Sequence, residues 1–422
     1  MANEFSKEET VAFEEECLGF EDQLAISEHV SIYRPDSTTM ERSGDVIWRP
    51  QPYVAQSFDG MDQTANFKDK TQLSVPTTLG YEKSSNWIMD AKQLRDALQE
   101  GRLYTAAREK IASDINVAVL EHASMFGSLF VKRAAAAAGF DDVAQCEAIM
   151  NEQGIPGYER CLALSSRDYL GMANNLAVRG TVAGKVEKAY ETGYVGRVAS
   201  FDTYKLDYAR RLALAAGGGA ITITTLAAGG NVYVPRATGT AATGERSNVD
   251  NRFQNVLVSA TANVKAGDAF TIATVEAVHH ITKQGTGQLK TFRVVSITDA
   301  THMVITPPLI TAQGGTDPEL QYQNCIVGTP AANSAIVWLN TATAATNPFW
   351  QRESIELVPG HYVVPDGAGV AVMRATTKQG IELVMQKWYD GMKMKIFYRV
   401  DALFGVVNKN PEMNGIMMFS QP

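Results

Sequence analysis

The sequence is short of nearly everything that chemistry at a site requires. Its four cysteines, Cys17, Cys146, Cys161 and Cys325, are scattered, with no C-x-x-C pair and no regular spacing. That argues against a disulfide framework or a zinc site and fits a reducing compartment. No apolar run approaches the ~18 residues a membrane helix needs. The N-terminus is acidic rather than basic-then-apolar, so no signal peptide is expected. There is no basic excess either. The net charge is −8, and the electrostatic footprint of a nucleic-acid binder is missing.

Catalytic motifs are equally scarce. No H-E-x-x-H, G-x-S-x-G or calcium-loop pattern occurs. Gly180 to Gly184-Lys185 resembles a phosphate loop but is one residue short and continues with Val186 rather than Ser or Thr. Gly285-Thr-Gly287 lacks a third glycine and reads as a hairpin turn; Gly217-Gly218-Gly219 reads as a flexible bend. His279 and His280 are adjacent, so on a strand they face opposite ways and cannot jointly hold a metal. His122 lies on an apolar helical face and reads as a core histidine. No catalytic residue, cofactor or metal is expected.

What the chain does have is unevenly placed charge. Residues 1–30 hold nine acids against the single base Lys7, leaving 37 acids and 37 bases elsewhere. Phe13, Cys17, Phe20 and Leu24 step by 4, 3 and 4, which predicts a helix with an apolar stripe; Ser6 or Thr10 is its candidate cap. The helix either lies on its own core with its acids solvated or offers them to a basic partner.

Two strand-like runs follow, Val46 to Pro50 and Leu73 to Thr77, separated by about twenty polar, irregular residues. They predict an extended hairpin arm with its prolines at edge positions. So few large apolar side chains cannot offset the entropy of ordering it, so a neighbouring surface is expected to hold it. No proline lies between Pro76 and Pro156. From Asp90, Leu94 and Leu98, then Ile111, Ile115, Ala118, His122, Met125 and Leu129, keep helical spacing up to a stop at Gly139, after the alanines 134–138. Three dozen such residues would span about 50 Å.

Residues 140–228 read as mixed α+β, with helical stretches at Asp141–Gln153 and Lys185–Glu191. Residues 229–345 change character. Val256 and Val258, Phe270 and Ile272, Phe292 and Val294, and Met303 and Ile305 alternate between Gly/Asp turns, which predicts an inserted antiparallel barrel or sandwich. After 346 the chain returns to mixed structure, with strands at Ile355–Leu357, Val363–Val364 and Ala371–Met373, and β-leaning runs from Ile381 to Trp388 and Lys393 to Ala402.

Several stretches, in chain order, resemble the short-tailed Salmonella-phage coat-protein branch of the tailed-phage and herpesvirus capsid fold. Met40-Glu-Arg-Ser-Gly-Asp-Val-Ile-Trp48-Arg-Pro50 resembles its extended loop. Leu94-Arg-Asp96, Ala106-Ala-Arg-Glu-Lys-Ile111 and Met125-Phe-Gly-Ser-Leu129 resemble its spine helix. Glu187-Lys-Ala-Tyr190, Gly196-Arg197 and Phe201-Asp202 resemble its apical region. Asn248-Val-Asp-Asn-Arg-Phe253, Leu257-Val-Ser-Ala-Thr261, Gly267-Asp268 and Thr301-His-Met-Val-Ile-Thr-Pro307 resemble its inserted domain, and Asn347-Pro-Phe-Trp350 the return to the core.

The resemblance implies an α+β capsid fold. Its parts are an acidic helical N-arm (1–34), an extended loop (35–88), spine helix and peripheral domain (89–139), an apical domain (140–228), an inserted β-barrel domain (229–345) and a return to the core (346–422). It implies a non-enzymatic shell subunit forming pentamers and hexamers around double-stranded DNA without reading its sequence. The implied partners are a scaffolding protein and a portal, with no membrane, and assembly takes place in the host cytoplasm. Glu14, Glu15, Glu16 and Asp22 are the candidate scaffold contacts. Arg42, Trp48, Arg49, Phe58 and Phe67 are the candidate inter-subunit residues of the extended loop. The inserted domain's loop, Arg236–Asn251, would reach a neighbouring capsomer, with Glu245, Arg246 and Asp250 as the charges near its tip. A nanocompartment shell of the same fold, and an enzyme or adhesin carrying a β-domain, are the alternatives.

Overall fold

The computed structural model describes residues 7, 9–11, 13–14, 17, 20, 24, 26–34, 46–90, 97–178, 195–217, 221–227, 229–329, 332–363, 369–377 and 379–422. In chain order the strands are β1 (Ser31–Ile32), β2 (Val46–Pro50), β3 (Ser74–Thr78), β4 (Tyr81–Asp90), β5 (Leu129–Lys132), β6 (Arg160–Ser165), β7 (Arg197–Val198), β8 (Phe201–Leu206), β9 (Arg211–Leu212), β10 (Thr222–Thr225), β11 (Thr238–Thr240), β12 (Arg246–Asn248) and β13 (Gln254–Leu257). They continue with β14 (Ala269–Val278), β15 (Gly285–Ile297), β16 (His302–Thr306), β17 (Cys325–Val327), β18 (Ala332–Trp338), β19 (Ala344–Ala345), β20 (Asn347–Gln351), β21 (Ile355–Pro359), β22 (Ala371–Thr376), β23 (Glu382–Asp390), β24 (Lys395–Asn408) and β25 (Asn414–Met418). Beside the helical residues of the N-terminal arm, the described helices are α1 (Ala97–Phe126), α2 (Phe140–Glu152), α3 (Ser166–Val178) and α4 (Asp317–Tyr322).

The chain divides into two units: Met1–Ile47, Thr77–Leu120 and Ile355–Val407 form the first, and Trp48–Pro76, Glu121–Ser354 and Asn408–Pro422 the second. The first is built on β24, which pairs with β23 on one side and with β4 over ten residues from Asp90 to Tyr81. β22 and the parallel pair β1–β21 complete that sheet. Trp87 stacks on Tyr398 at 5.5 Å, and Tyr104 of α1 meets both rings edge-on. The buried residues of α1 include Tyr104, Ala107, Ile111, Ile115 and Ala118, spaced 3, 4, 4 and 3 as a helix requires.

In the second unit a mixed sheet runs β5-β25-β20-β6-β8-β7. β6, α3 and the parallel strand β8 make a βαβ crossover. Asn347 ties its strands together: Oδ1 accepts from Ser165 N at 2.7 Å, and Nδ2 donates to Asp168 Oδ2 at 3.0 Å. Leu129, Val143, Leu162, Phe201 and Phe349 form its core with α2 and α3.

The inserted domain is a barrel. Its strands run β10-β18-β14-β15-β16-β13. The ring closes where Ile223 bridges Val258 and Ser259 N donates to Thr222 O at 2.9 Å, so the ring leaves no open edge. The alternating residues read from the sequence all point inward: Val256, Val258, Phe270, Ile272, Phe292, Val294, Met303 and Ile305 are buried in one cluster. Each contributes roughly 1.5–3 kcal/mol by leaving water. The chain enters and leaves this domain side by side, because β9 pairs with β19, Leu212 opposite Ala344 and Arg211 opposite Ala345.

Several expectations are corrected. The long helix ends at Phe126 rather than at Gly139. A Cβ at Gly127 would lie 2.8 Å from Asn414 Oδ1 and 2.9 Å from Ala123 O, and Leu129–Lys132 pairs in parallel with Gly415–Met418. The alanines 134–138 are not helical; Ala137 O lies where a Cβ on Gly171 would come within 2.9 Å. Alanine's propensity yields there to packing on α3. Asp90 closes strand β4 instead of capping a helix, and Thr10 sits inside the N-terminal helix rather than at its cap. The barrel's first strand begins at Thr222, before the expected start at 229. Gly285–Gly287 opens strand β15 at an irregular register against β14 rather than forming the hairpin turn. Gly217 is not a free bend: a Cβ there would meet the Trp338 ring at 2.6 Å. Val363 is in no strand. Ser6, Leu94, Gly218, Gly219, Val364, the phosphate-like loop and Lys185–Glu191 lie outside the described residues.

Candidate subunit-contact surfaces

The extended loop stands on a two-stranded ribbon, β2 with β3. Beyond it the chain makes its own small structure. Gly60 takes φ +99°, open to glycine at little cost, and Gln63 Nε2 donates to Asp59 O at 3.1 Å. Asp62 Oδ1 accepts from Thr64 N at 3.1 Å and Thr64 Oγ1 at 2.6 Å, and those two bonds lower its carboxyl pKa. The tip is therefore shaped by polar local bonds, and its apolar side chains point out. Phe58 is 48%, Phe67 86% and Met61 104% exposed. Trp48 and Arg49, at the ribbon, are half-buried; Arg42 lies outside the described residues. The family resemblance offers Phe58 and Phe67 as candidates, whereas nothing in the sequence marks Met61. The descending side of the loop is held inside the chain: Lys68 Nζ meets Asp317 Oδ1 at 2.7 Å, and Thr71 bonds to Gln321 and Tyr322.

The N-terminal stripe is a core feature. Phe13, Cys17, Phe20 and Leu24 are all buried. Phe13 and Phe20 line a small cavity with Tyr104, Ala107 and Ile111 of α1 and Leu383 and Val400 of the sheet. Lys387 Nζ meets Glu9 Oε1 at 2.5 Å, so this acid is used internally. Glu14 is exposed; Glu15, Glu16 and Asp22 lie outside the described residues.

The inserted domain's loop is a β11–β12 hairpin with Thr240 opposite Arg246 and Gly244 at φ +85° in its turn. Glu245 and Arg246 are exposed at that turn. Asp250 is not near the tip. It sits at the base, where Arg252 grips it through Nε–Oδ1 at 2.9 Å and Nη2–Oδ2 at 2.6 Å. The two-residue spacing lets the guanidinium fork fold back on its own neighbour, leaving two tip charges instead of three.

The barrel root carries a cluster of buried polar groups. Lys290 is buried and paired with Glu412, whose other oxygen lies 3.9 Å from His280 Nε2. Burial, partly opposed by Glu412, lowers His280 to about 4. Burial raises the Glu412 carboxyl, but the charge of Lys290, that of His280 once acid protonates it, and that of Lys283 outweigh burial and leave the carboxyl below its ordinary value. His122 packs on Phe126 with ring centroids 5.2 Å apart; burial, then the charge of Arg252, lowers it to about 4. Both histidines are neutral structural groups at pH 7. Among the described residues, no three His, Cys, Asp or Glu side chains are grouped to hold a metal.

The family described as "P22 coat protein - gene protein 5" matches residues 1–420. Among solved structures, a chain from Mycobacterium phage Che8 is 10% identical, covers 92% of this chain and 88% of its own, and has a TM-score of 0.44. The capsid structure of cyanophage P-SCSP1u is 10% identical over 93% of this chain and 87% of its own, also at 0.44. The CUS-3 coat protein I-domain is 32% identical over 29% of this chain and 98% of its own, with a TM-score of 0.23.

Proposed function

The chain belongs to the P22 coat protein family, so it is a phage capsid protein, and from that premise we propose that it tiles an icosahedral shell as pentamers and hexamers. It acts through contact and catalyses nothing. A scaffolding protein guides growth in the host cytoplasm, a portal occupies one vertex, and double-stranded DNA is enclosed without sequence recognition.

The observation that carries this reading is the extended loop. Three large apolar side chains, Phe58, Met61 and Phe67, stand in water at the end of a ribbon. Large apolar exposure of this kind marks a protein contact. Each contact is modest, and closed symmetry sums many of them. Weak single contacts let misplaced subunits leave during growth.

The N-terminal arm supports a division of labour. Its apolar stripe is spent on its own core, and Glu14 faces solvent. Glu14, Glu15, Glu16 and Asp22 are the acids we assign to a basic segment of the scaffolding protein. On the hairpin of the inserted domain, Glu245 and Arg246 are the charges offered to a neighbouring capsomer.

Electron microscopy and sedimentation of the full chain, alone and with a basic scaffold, test the reading. Closed shells or capsomers are the expected result. A persistent monomer under every condition that assembles related coat proteins sinks it, and shells filled with a protein cargo replace it with the nanocompartment reading.

A further inference from the structure

The extended loop descends across a seat built by the inserted barrel. That seat is α4, six residues long but fixed at both ends. At its start Thr316 Oγ1 donates to Glu319 Oε2 at 2.8 Å, and Glu319 Oε2 also accepts from Thr316 N at 3.1 Å. Just past its end, the buried Asn324 donates from Nδ2 to Pro308 O at 2.9 Å and accepts from Ile310 N at 3.2 Å. β17 then pairs with β14 in the barrel wall, Cys325 opposite Ala277. α4 is therefore an outgrowth of the barrel and has no fixed position without it.

Toward the loop, α4 presents three side chains. The amide of Gln321, itself buried, bonds Thr71 in both directions: Thr71 N donates to Oε1 at 3.2 Å and Nε2 donates to Thr71 O at 3.1 Å. Tyr322 OH adds a second donor to Thr71 O at 2.8 Å. Lys68 pairs with Asp317. Gln321 thus does for one residue of extended backbone what a neighbouring strand would do. The base of the β11–β12 hairpin adds a further link, since Ser74 bridges Asp250. The side chains that meet the loop, Asp317, Gln321 and Tyr322, are not among the apolar residues that fill the barrel's interior with Phe270 and Phe292.

We infer that α4 is a clamp that aims the extended loop, with Gln321, Tyr322 and Asp317 as positioning residues, so that a subunit can engage its neighbour only after its barrel has folded. The inference rests on the reading of the loop tip as an inter-subunit contact. A loop tethered only at β2 and β3 sweeps a wide volume, and its tip is rarely where a neighbour needs it. Fixing its direction raises the effective concentration of the tip at that neighbour without adding any contact. Assembly competence then reports on barrel folding, because an unfolded barrel offers no seat.

Two variants of the full chain approach the clamp from opposite sides. Gln321→Leu removes the amide from α4. Thr71→Pro removes the N–H that Gln321 accepts and leaves the barrel untouched. Hydrogen exchange on the unassembled subunit is expected to speed up about tenfold or more in residues 68–73 in both variants, with barrel strands as protected as in wild type. Scaffold-driven shell growth, followed by light scattering, is expected to slow by a similar factor, and the double variant to be no slower than Gln321→Leu alone, which already leaves the Thr71 N–H without its acceptor. Unchanged exchange at 68–73, or wild-type growth despite faster exchange, overturns the clamp. Should Gln321→Leu unfold the barrel, Thr71→Pro alone decides. Failure of the wild-type chain to form shells counts against the shell reading instead, and the exchange measurement still judges the clamp.

Discussion

Arg293, in the barrel strand β15, donates through Nη2 to the carbonyl of Ser124 at 2.8 Å, in the last turn of α1. The guanidinium is fully buried, and its Nε also donates to Gly267 O at 3.0 Å. The last carbonyls of a helix have no partner within it, and a cation there also opposes the helix dipole. Two residues earlier, Thr291 Oγ1 donates to Ser128 O at 2.7 Å. The barrel thus caps the helix that precedes it.

Arg293→Met is expected to destabilise the subunit by about 3 kcal/mol, because it leaves Asp268 without its nearby charge and Ser124 O without a donor. The urea midpoint of the barrel's transition checks this. A midpoint equal to wild type would mean that the cap carries no weight.

Acid should weaken the fold well above the carboxylate range. His122 and His280 are each lowered to about 4, so the unfolded chain takes up their protons first as the pH falls from about 6.5. The stability they allow at neutral pH is therefore lost between about 6.5 and 4. Glu412, itself lowered, adds a loss that begins below its ordinary value and runs in the same direction. The groups around His280 are Glu412, Lys290, Lys283 and His279. Denaturant midpoints at pH 7, 5.5 and 4.5 should fall in that order; a flat series would contradict the assignment.

Phe270→Ala should cost about 3–5 kcal/mol. The ring is buried in the barrel, stacked with Phe292 at 5.6 Å and edge-on to Trp338 at 5.6 Å. Loss of protection across β14, β15 and β18 in hydrogen exchange is the readout, and a local loss confined to β14 would argue against a single cooperative barrel.

The triple variant Phe58→Ser, Met61→Ser, Phe67→Ser should leave monomer stability within about 0.5 kcal/mol of wild type, as exposed positions do, while shell formation drops at least tenfold. Unimpaired shells would remove the tip from the assembly mechanism.

Charge reversal at Glu14, Glu15, Glu16 and Asp22 should slow scaffold-driven growth and flatten its salt dependence. Growth with normal salt dependence would assign the acids to solubility alone.

Period carried most of what could be read from the residues alone. The barrel's inward residues alternate strictly, so Val256 through Ile305 identified their own core, and the stripe from Phe13 to Leu24 did the same for the arm. Where period was silent, the reading failed. Ala134 to Ala138 satisfies a helix locally, and only the pairing of Leu129–Lys132 with β25, nearly 290 residues away, decides otherwise. The seat of Thr71 on Gln321 spans 250 residues, and no local pattern marks a glutamine that will serve as a strand. The sequence predicts that a neighbouring surface holds the loop; its descending side is anchored at Lys68 and Thr71 within the same chain.

The seam where Leu212 faces Ala344 has a consequence for heredity. Strand partners sit about 5 Å apart, so the barrel hangs from the chain by two ends that already touch, and a single recombination event could remove or replace it without rethreading anything. Such an event would not be free of structure. It would leave the end of α1 with Ser124 and Ser128 unmet and the extended loop without a seat, so any newcomer at that seam must arrive with its own arginine and its own glutamine, or their equivalents.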